Sequence, residues 1–217
     1  MLEAVIFDMD GVLFDTEQLC LLAWEKVIEK YNLKDIMHIC KACIGVSREK
    51  SKEIFETSVS KDFPFDEIRS EVSRLCHEMI DESGLPEKTG VREILSFCKE
   101  QGLKIGLATS TRRETVMSHL KRANIMDFFD EITCGDEIQS SKPSPEIYIT
   151  ACKKLRVNPE NALAVEDSYN GVRSATAAGV KCIMVPDLLP STEEMFKLSD
   201  KVLDNLLAVV EYLKEML

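Results

Sequence analysis

Short apolar runs, each followed by turn residues and then by a helical pattern, recur along the chain. They are Ala4–Asp8, Lys104–Ala108, Glu131–Cys134, Ala162–Glu166 and Lys181–Val185. Strands that alternate with helices are typical of a parallel α/β sheet. The pattern predicts a Rossmann-like, doubly wound parallel sheet with right-handed crossovers, and a sixth short strand is expected near 201–203.

The interval between the first two runs is too long for one crossover, which takes about 30 residues. Roughly 95 residues lie there, and residues 16–82 keep helical spacing, with Thr16 as the expected N-cap. We therefore expect an inserted all-helical cap of four or five helices that forms a separate lid. The predicted boundaries are 16–84 for this cap, and 1–15 with 85–217 for the core.

Two acidic clusters are expected to meet at one edge of this sheet. In the common strand order 3-2-1-4-5, strands one and four are neighbours, and ligands bind beyond the carboxyl ends of the strands where the order reverses. Asp8 ends the first strand, and Glu166 and Asp167 end the fourth. The sequence thus predicts a ligand site that these carboxylates share.

A second carboxylate, Asp10, follows Asp8 at the spacing that places both on one side of an extended chain. Carboxylates directly after an apolar strand are costly unless they are solvated, paired or metal-bound. The Asp8 carboxylate, a nearby backbone carbonyl and Asp167 offer the oxygen donors that Mg²⁺ prefers. We assign the predicted metal site to Asp8, Asp10, Glu166 and Asp167.

An anion site is predicted opposite these carboxylates. The second strand ends in the hydroxyl-rich run Thr109–Thr111 before a helix, and hydroxyls with free N–H groups at a helix start bind anions. Lys142 precedes a helix that is expected to start near Pro145, and Pro143 and Pro145 stiffen that entry. Lys142 follows the third strand, so it can reach the same crevice.

The charge balance argues against a nucleic-acid partner. Lys and Arg number 27 against 38 Asp and Glu, so the formal net charge is −11, whereas sequence-independent nucleic-acid binding needs basic patches. No apolar run approaches the roughly 20 residues of a membrane span. Most of the eight cysteines lie in apolar periodic segments, which favours reduced thiols in a cytoplasmic protein.

These residues resemble the haloacid dehalogenase superfamily, in its phosphatase and phosphomutase branch. Its four motifs occur in order: DMDG from Asp8, then Thr109, Lys142, and the pair Glu166-Asp167. The resemblance implies that Asp8 is the nucleophile and forms an aspartyl-phosphate. It also implies that Asp10 is the general acid and base.

The remaining motif residues receive roles from the same resemblance. The Thr109 hydroxyl and the Ser110 N–H are expected to bind the phosphate, and Lys142 with Mg²⁺ to balance its charge. Asp10 argues against dehalogenation, because the dehalogenase branch lacks this second carboxylate. No lid lysine suited to a Schiff base is found, which argues against phosphonate cleavage.

Substrate preference is taken from a finer resemblance. Gly45–Glu49 resembles the specificity loop of β-phosphoglucomutases, in which the arginine, here Arg48, binds the distal group of a sugar phosphate. Two departures favour hydrolysis: Cys20 stands where those mutases carry histidine, and Thr111–Arg113 replaces a Ser-Lys-Asn run. Substrate contacts are assigned to Thr16, Gly45, Arg48, Ser110, Thr111 and Arg112.

The sequence therefore predicts a Mg²⁺-dependent phosphatase that hydrolyses small phosphorylated sugars. A β-phosphoglucomutase is the alternative, and a non-catalytic binding module is a third hypothesis, which the intact motif set disfavours. The expected partner is a small phosphorylated metabolite, with no nucleic acid and no membrane. A lidded enzyme of 217 residues is expected to work as a monomer.

Overall fold

The computed structural model describes all residues from 1 to 217. The chain forms two compact units, which we call the sheet unit (Met1–Phe14 with Glu87–Leu217) and the helical unit (Asp15–Pro86). Within the sheet unit, Phe14 and Glu87 form an antiparallel bridge where the chain leaves and re-enters. No helix combines the length and the apolar composition that a membrane crossing would need.

The sheet unit is built on six parallel strands in the order β3-β2-β1-β4-β5-β6. They are β1 (Ala4–Phe7), β2 (Lys104–Ala108), β3 (Glu131–Thr133), β4 (Ala162–Glu166), β5 (Lys181–Met184) and β6 (Lys201–Val202). Every residue of β1 and β4 is buried, as expected of central strands that are covered on both faces. The predicted fold class and the predicted order of the first five strands are confirmed.

Three predicted strands end one residue too late. Asp8, Cys134 and Val185 lie just beyond β1, β3 and β5. Asp8 N–H still donates to Val165 O at 3.0 Å, and Val185 N–H to Glu166 O at 2.7 Å. Asp8 and Val185 each keep one ladder hydrogen bond before the chain turns into a loop, so the apolar pattern extends beyond the strand pairing.

The helical unit contains α1 (Thr16–Lys30), α2 (Met37–Ala42), α3 (Arg48–Ser58) and α4 (Phe65–Ser83). Its own core includes Trp24 stacked on Phe55 at 5.2 Å between ring centroids, and Phe55 on Phe63 at 5.1 Å. The predicted N-cap of α1 is wrong by one residue. Asp15 occupies that position without a side-chain cap, because its N–H donates to Pro86 O at 2.9 Å and holds it outside the helix.

Six further helices belong to the sheet unit, and we name them α5 to α10. They are α5 (Val91–Glu100), α6 (Arg113–Arg122), α7 (Glu146–Leu155), α8 (Tyr169–Ala177), α9 (Glu193–Leu198) and α10 (Leu206–Met216). Short 3-10 helices occupy Met126–Phe128, Gly135–Glu137 and Pro159–Asn161. Helices α7 and α8 pack on the sheet through a shared core that includes Tyr148, Val172 and Ala164. The eight cysteines are free thiols.

Candidate active site

Polar side chains gather where β1, β2 and β4 end at one edge of the sheet. Asp8, Thr109, Glu166 and Asp167 are each at most 6% exposed there, and Lys142 is 9% exposed. Strands β2 and β4 both flank β1, with Phe7 opposite Leu107 on one side and Val165 on the other. Parallel pairing therefore brings residues from distant parts of the chain to the switch point of the sheet.

Lys142 lies at the centre of this group. Its ammonium donates to Asp8 Oδ1 and Glu166 Oε1, each at 2.5 Å, and to Ala108 O at 3.1 Å. An ammonium group has three hydrogens, so each of them has an acceptor. Lys142 is a bridge between the ends of β1, β2 and β4.

The loop that carries Lys142 is itself anchored. Ser174 on α8 donates its hydroxyl to Ser144 O at 2.6 Å, and Ser144 N–H donates to Ser141 O at 3.0 Å. These two hydrogen bonds hold the backbone from which the lysine enters the site.

Glu166 is enclosed by groups that the sequence analysis did not identify. Tyr148 on α7 donates its hydroxyl to Glu166 Oε1 at 2.7 Å, and the Ser168 hydroxyl lies 3.4 Å from Oε2. A Cβ at Gly171 would lie 1.9 Å from Glu166 Oε2, so only glycine fits. Tyr148 could have been suspected, because it lies six residues after Lys142, at the start of the following helix.

Three carboxylates form a cluster suited to a cation. Asp8, Glu166 and Asp167 are buried, and one oxygen of each lies within 4.8 Å of the others. Gly11, at φ +80°, lets the chain pass so close that a Cβ would lie 2.3 Å from Asp167 Oδ2. Hard oxygen donors of this kind fit a divalent cation such as Mg²⁺. The Asp10 carboxylate, which the sequence placed in the metal site, is not part of this group.

The electrostatics of Asp8 reflect both burial and its neighbours. The pKa of Asp8 is raised to about 7, chiefly by burial, with smaller contributions from Glu166 and Asp10 and an opposing effect of Lys142. For Lys142, burial alone would lower the pKa, but the charges of Asp8 and Glu166 outweigh it and raise the pKa. The two carboxylates therefore favour the charged form of Lys142, and a bound cation would favour the ionised form of Asp8.

Asp10 is turned toward the loop after β2. Thr111 donates its hydroxyl to Asp10 Oδ2 at 2.6 Å, and Thr111 N–H donates to Thr109 Oγ1 at 3.1 Å. Ser110 and Arg112 are exposed, and Arg112 precedes α6 as its N-cap residue. The predicted anion-binding run thus lies in a loop before the helix, next to Asp10.

Other predicted substrate residues lie in the helical unit. Thr16 is the first residue of α1, and Gly45 adopts φ +66° in the loop before α3. Arg48 begins α3 after the N-cap Ser47, and its guanidinium donates to Asp66 Oδ1 at 2.8 Å. The structure of this unit shows Arg48 on an exposed surface in an ion pair.

The sequence matches the family model of the haloacid dehalogenase-like hydrolases over residues 5–185. This span includes all four motif positions and most of the sheet. The chain belongs to the haloacid dehalogenase-like hydrolases. Its fold, the aspartate Asp8 directly after β1 and the acidic pair Glu166-Asp167 at the end of β4 agree with that membership.

Relatives of this haloacid dehalogenase-like hydrolase include a named phosphatase and a named mutase. A phosphorylated carbohydrates phosphatase from Thermotoga maritima is 35% identical over 84% of each chain. A β-phosphoglucomutase from Bacillus subtilis is 31% identical over 85% of this chain and 83% of its own. The crystal structure of β-phosphoglucomutase from Clostridium difficile superimposes with a TM-score of 0.81 at 28% identity, covering 99% of this chain and 96% of that one.

The predictions of an enzyme and of its family are thereby confirmed. The chain is a phosphoryl-transfer enzyme of the haloacid dehalogenase-like kind. Enzymes of this family generally use a divalent metal, and the buried carboxylate cluster of Asp8, Glu166 and Asp167 could bind one.

Proposed function

We propose that this enzyme is a Mg²⁺-dependent phosphatase that hydrolyses small phosphorylated sugars through an aspartyl-phosphate on Asp8. One observation carries the proposal: the buried Asp8 carboxylate lies at the switch point, 2.5 Å from the buried Lys142 ammonium. A nucleophile beside a fixed cation is suited to attack on an anionic phosphoryl group.

In the first half-reaction, an Asp8 oxygen attacks phosphorus, and the bond between phosphorus and the ester oxygen breaks. The electron pair goes to the leaving oxygen, which takes a proton from Asp10. In the second half-reaction, Asp10 takes a proton from water as that water attacks the aspartyl-phosphate. Asp8 is released with inorganic phosphate, and Asp10 is protonated again for the next cycle.

The cation-binding roles are divided among the acidic residues. We assign Mg²⁺ to the carboxylates of Asp8 and Asp167 and to the backbone carbonyl of Asp10, where its charge would offset that of the phosphoryl oxygens. Glu166 is assigned to holding Lys142, because both of its oxygens already lie near hydrogen-bond donors. The Thr109 hydroxyl and the Ser110 N–H are assigned to the phosphoryl oxygens.

The choice of sugar phosphates rests on the relatives. The Thermotoga maritima relative is named a phosphorylated carbohydrates phosphatase, and the Bacillus subtilis relative is named a β-phosphoglucomutase. We assign recognition of the distal sugar group to Arg48, with Gly45, Thr16 and Arg112 as further contacts. A cytoplasmic location and a monomeric state belong to the same proposal.

A β-phosphoglucomutase is the second candidate, and the similarity to named mutases over more than four fifths of the chain favours it. In a mutase, a sugar hydroxyl instead of water removes the phosphoryl group from Asp8. Cys20 and the Thr111–Arg113 run, which depart from the mutase pattern, favour the phosphatase.

The two candidates are separated by one assay. The enzyme receives Mg²⁺ and β-glucose 1-phosphate with a trace of the 1,6-bisphosphate, and both glucose 6-phosphate and inorganic phosphate are followed. The phosphatase predicts release of inorganic phosphate. Formation of glucose 6-phosphate without phosphate release would identify a mutase, and no turnover across a panel of phosphomonoesters would favour a binding module.

The nucleophile is tested separately with Asp8→Asn. We expect turnover to fall by several orders of magnitude and the acid-stable phosphoenzyme, trapped with radiolabelled substrate, to disappear, because an amide cannot attack phosphorus. Asp127→Asn is the matched control, since Asp127 is exposed in the same unit. Near-normal activity of Asp8→Asn would exclude Asp8 as the nucleophile.

A further inference from the structure

A hydrogen bond joins the loops that follow the two adjacent strands β1 and β2. The Thr111 hydroxyl donates to Asp10 Oδ2 at 2.6 Å, although the residues are 101 positions apart in sequence. Parallel pairing of Phe7 with Leu107 brings these loops side by side. The bond therefore connects the proposed proton-transfer group with the proposed phosphate-binding loop.

The backbone that carries the Thr111 hydroxyl is fixed on two sides. Thr111 N–H donates to Thr109 Oγ1 at 3.1 Å, and Thr111 O accepts from Gly135 N–H at 3.0 Å. A Cβ at Gly135 would lie 2.1 Å from Ser110 O, so the loops after β2 and β3 approach backbone to backbone. The hydroxyl is thus presented from a rigid support.

We propose that Thr111 is a positioning residue for Asp10, because its hydroxyl holds the Asp10 carboxyl group in one orientation. This inference rests on the proposed function. The hydrogen bond to Oδ2 restrains the rotation of the carboxyl group about its Cβ–Cγ bond.

The proposed proton transfers then start from an oriented carboxyl group. As the bond between phosphorus and the ester oxygen breaks, the proton passes from Asp10 to the leaving oxygen. In the second half-reaction, the Asp10 carboxylate removes a proton from the attacking water. Thr111 keeps its own proton in both steps, so it acts through Asp10 and not on the substrate.

This role differs from the substrate contact that the sequence suggested for Thr111. A direct contact would weaken the binding of every substrate alike. A positioning role affects only the step that needs the acid, and it matters most when the leaving oxygen is strongly basic. The dependence of rate on leaving group therefore distinguishes the two roles.

The experiment measures kcat/KM for a series of substituted phenyl phosphates, from phenyl phosphate to 2,4-dinitrophenyl phosphate. Ring size is nearly constant in the series, while the basicity of the leaving oxygen changes. For Thr111→Val we expect about a 30-fold loss with phenyl phosphate and less than about a threefold loss with the dinitro compound, since general acid catalysis contributes about 10²–10⁴-fold. Thr111→Ser is expected to restore the wild-type slope.

The matched control is Thr176→Val, because the Thr176 hydroxyl lies 2.8 Å from Val172 O within α8. It should leave the slope unchanged. The comparison between substrates is made within one preparation, so partial misfolding of a variant cancels. If Thr111→Val gives no active protein, Thr111→Ala provides the same comparison with a smaller side chain.

An equal loss for all phenyl phosphates, or no loss, would overturn the positioning role. A parallel rise in the inhibition constant of inorganic phosphate would instead identify a direct ligand contact and would also overturn it. These outcomes leave the phosphatase proposal intact, because the wild type is active and Asp8→Asn is not. Absence of wild-type turnover would overturn the proposed function, and this inference with it.

Discussion

Lys142 in the sheet unit and Arg48 in the helical unit are both cations with acidic partners, but their environments are opposite. The Lys142 side chain is 6% exposed, and the side chains of its partners Asp8 and Glu166 are 9% and 0% exposed. The Arg48 and Asp66 side chains are 54% and 55% exposed. Breaking a buried ion pair leaves an uncompensated charge without water, whereas an exposed pair contributes about 0–1 kcal/mol.

The difference indicates what each cation can do. Lys142 is part of the folded core and is held at one position by three hydrogen bonds, as its proposed role beside the phosphoryl group requires. Arg48 can exchange its partner at little cost, because water and Lys52 also satisfy Asp66, which Lys52 contacts at 2.6 Å. A fixed cation suits the chemistry common to a family, and an exchangeable one suits recognition that varies among substrates.

The largest effect is expected for Lys142→Met. Without metal, we expect the free energy of unfolding to fall by about 3–5 kcal/mol, because two buried carboxylates lose their cation. Lys142 lowers the pKa of Asp8 against the effect of burial, so its removal raises that pKa further. A raised folded-state pKa means that stability is lost as pH rises.

The loss in the free energy of unfolding caused by Lys142→Met should therefore be larger near about pH 8 than near about pH 5. Near the lower pH, Asp8 takes up a proton and no longer needs the cation. Urea unfolding in the presence of a chelator, repeated at both pH values, measures this loss. Lys99→Met is the matched control, because Lys99 and Asp130 form a pair with side chains 39% and 41% exposed. Equal penalties for the two variants would show that burial does not distinguish the pairs.

A smaller effect is expected in the pH dependence of Mg²⁺ binding. The pKa of Asp8 is raised to about 7, chiefly by burial, and a metal binds the ionised carboxylate. The Mg²⁺ affinity should therefore fall by about tenfold, or 1.4 kcal/mol, for each pH unit below 7 and level off above it. Calorimetric titrations in two buffers of different ionisation enthalpy also measure the proton that is released.

Asp8→Asn serves as the control for this titration, because it removes the titrating group and should abolish the proton release. A flat affinity between about pH 6 and 8 would contradict the assignment of Asp8 as a metal ligand with a raised pKa. That result would leave the interpretation of the exposed ion pair on the helical unit unchanged. The carboxylate of that pair, Asp66, has its pKa lowered by Arg48 and Lys52.

The smallest change in stability is expected for Arg48→Ala. The free energy of unfolding should change by less than about 0.5 kcal/mol, because the ion pair is exposed and Asp66 keeps its ion pair with Lys52. KM for a sugar phosphate should rise by about tenfold, the loss of one charge-assisted contact, with little change for phenyl phosphate. Lys52→Ala removes the other cation on Asp66 and should leave both KM values unchanged. A similar rise for both substrates in Arg48→Ala would exclude recognition of the sugar.

Most of the sheet could be predicted from the sequence, because central parallel strands are buried on both faces and appear as short, continuous apolar runs. The runs at Ala4, Lys104 and Ala162 mark the starts of β1, β2 and β4. The ends of the strands are predicted less accurately from the sequence than their starts. The apolar pattern continues through Val185, whereas strand pairing stops at Met184. The apolar pattern reflects burial, whereas the end of a strand depends on its hydrogen bonds with the neighbouring strand.

The candidate site residues Asp8, Lys142 and Asp167 could also be predicted from the sequence, since they are acidic or basic residues at strand ends or before a helix. The residues that form hydrogen bonds with them could not be predicted in this way. In the sequence Tyr148 resembles any aromatic core residue, and it is 0% exposed. Its hydroxyl nevertheless donates a hydrogen bond to Glu166. The sequence predicts a substrate contact for Thr111, whereas its hydrogen bond to Asp10, 101 positions away, depends on the pairing of β1 with β2.

The sequence by itself determined the order of strands and helices, the family motifs and the charges that meet at the switch point, because each follows from local periodicity and residue chemistry. Only the tertiary structure decided which carboxylate binds which donor. It placed Glu166 against Lys142 and Tyr148, and Asp10 against Thr111. Hydrogen bonds require positions within a few tenths of an ångström, and such distances arise only when separate strands and loops are packed together.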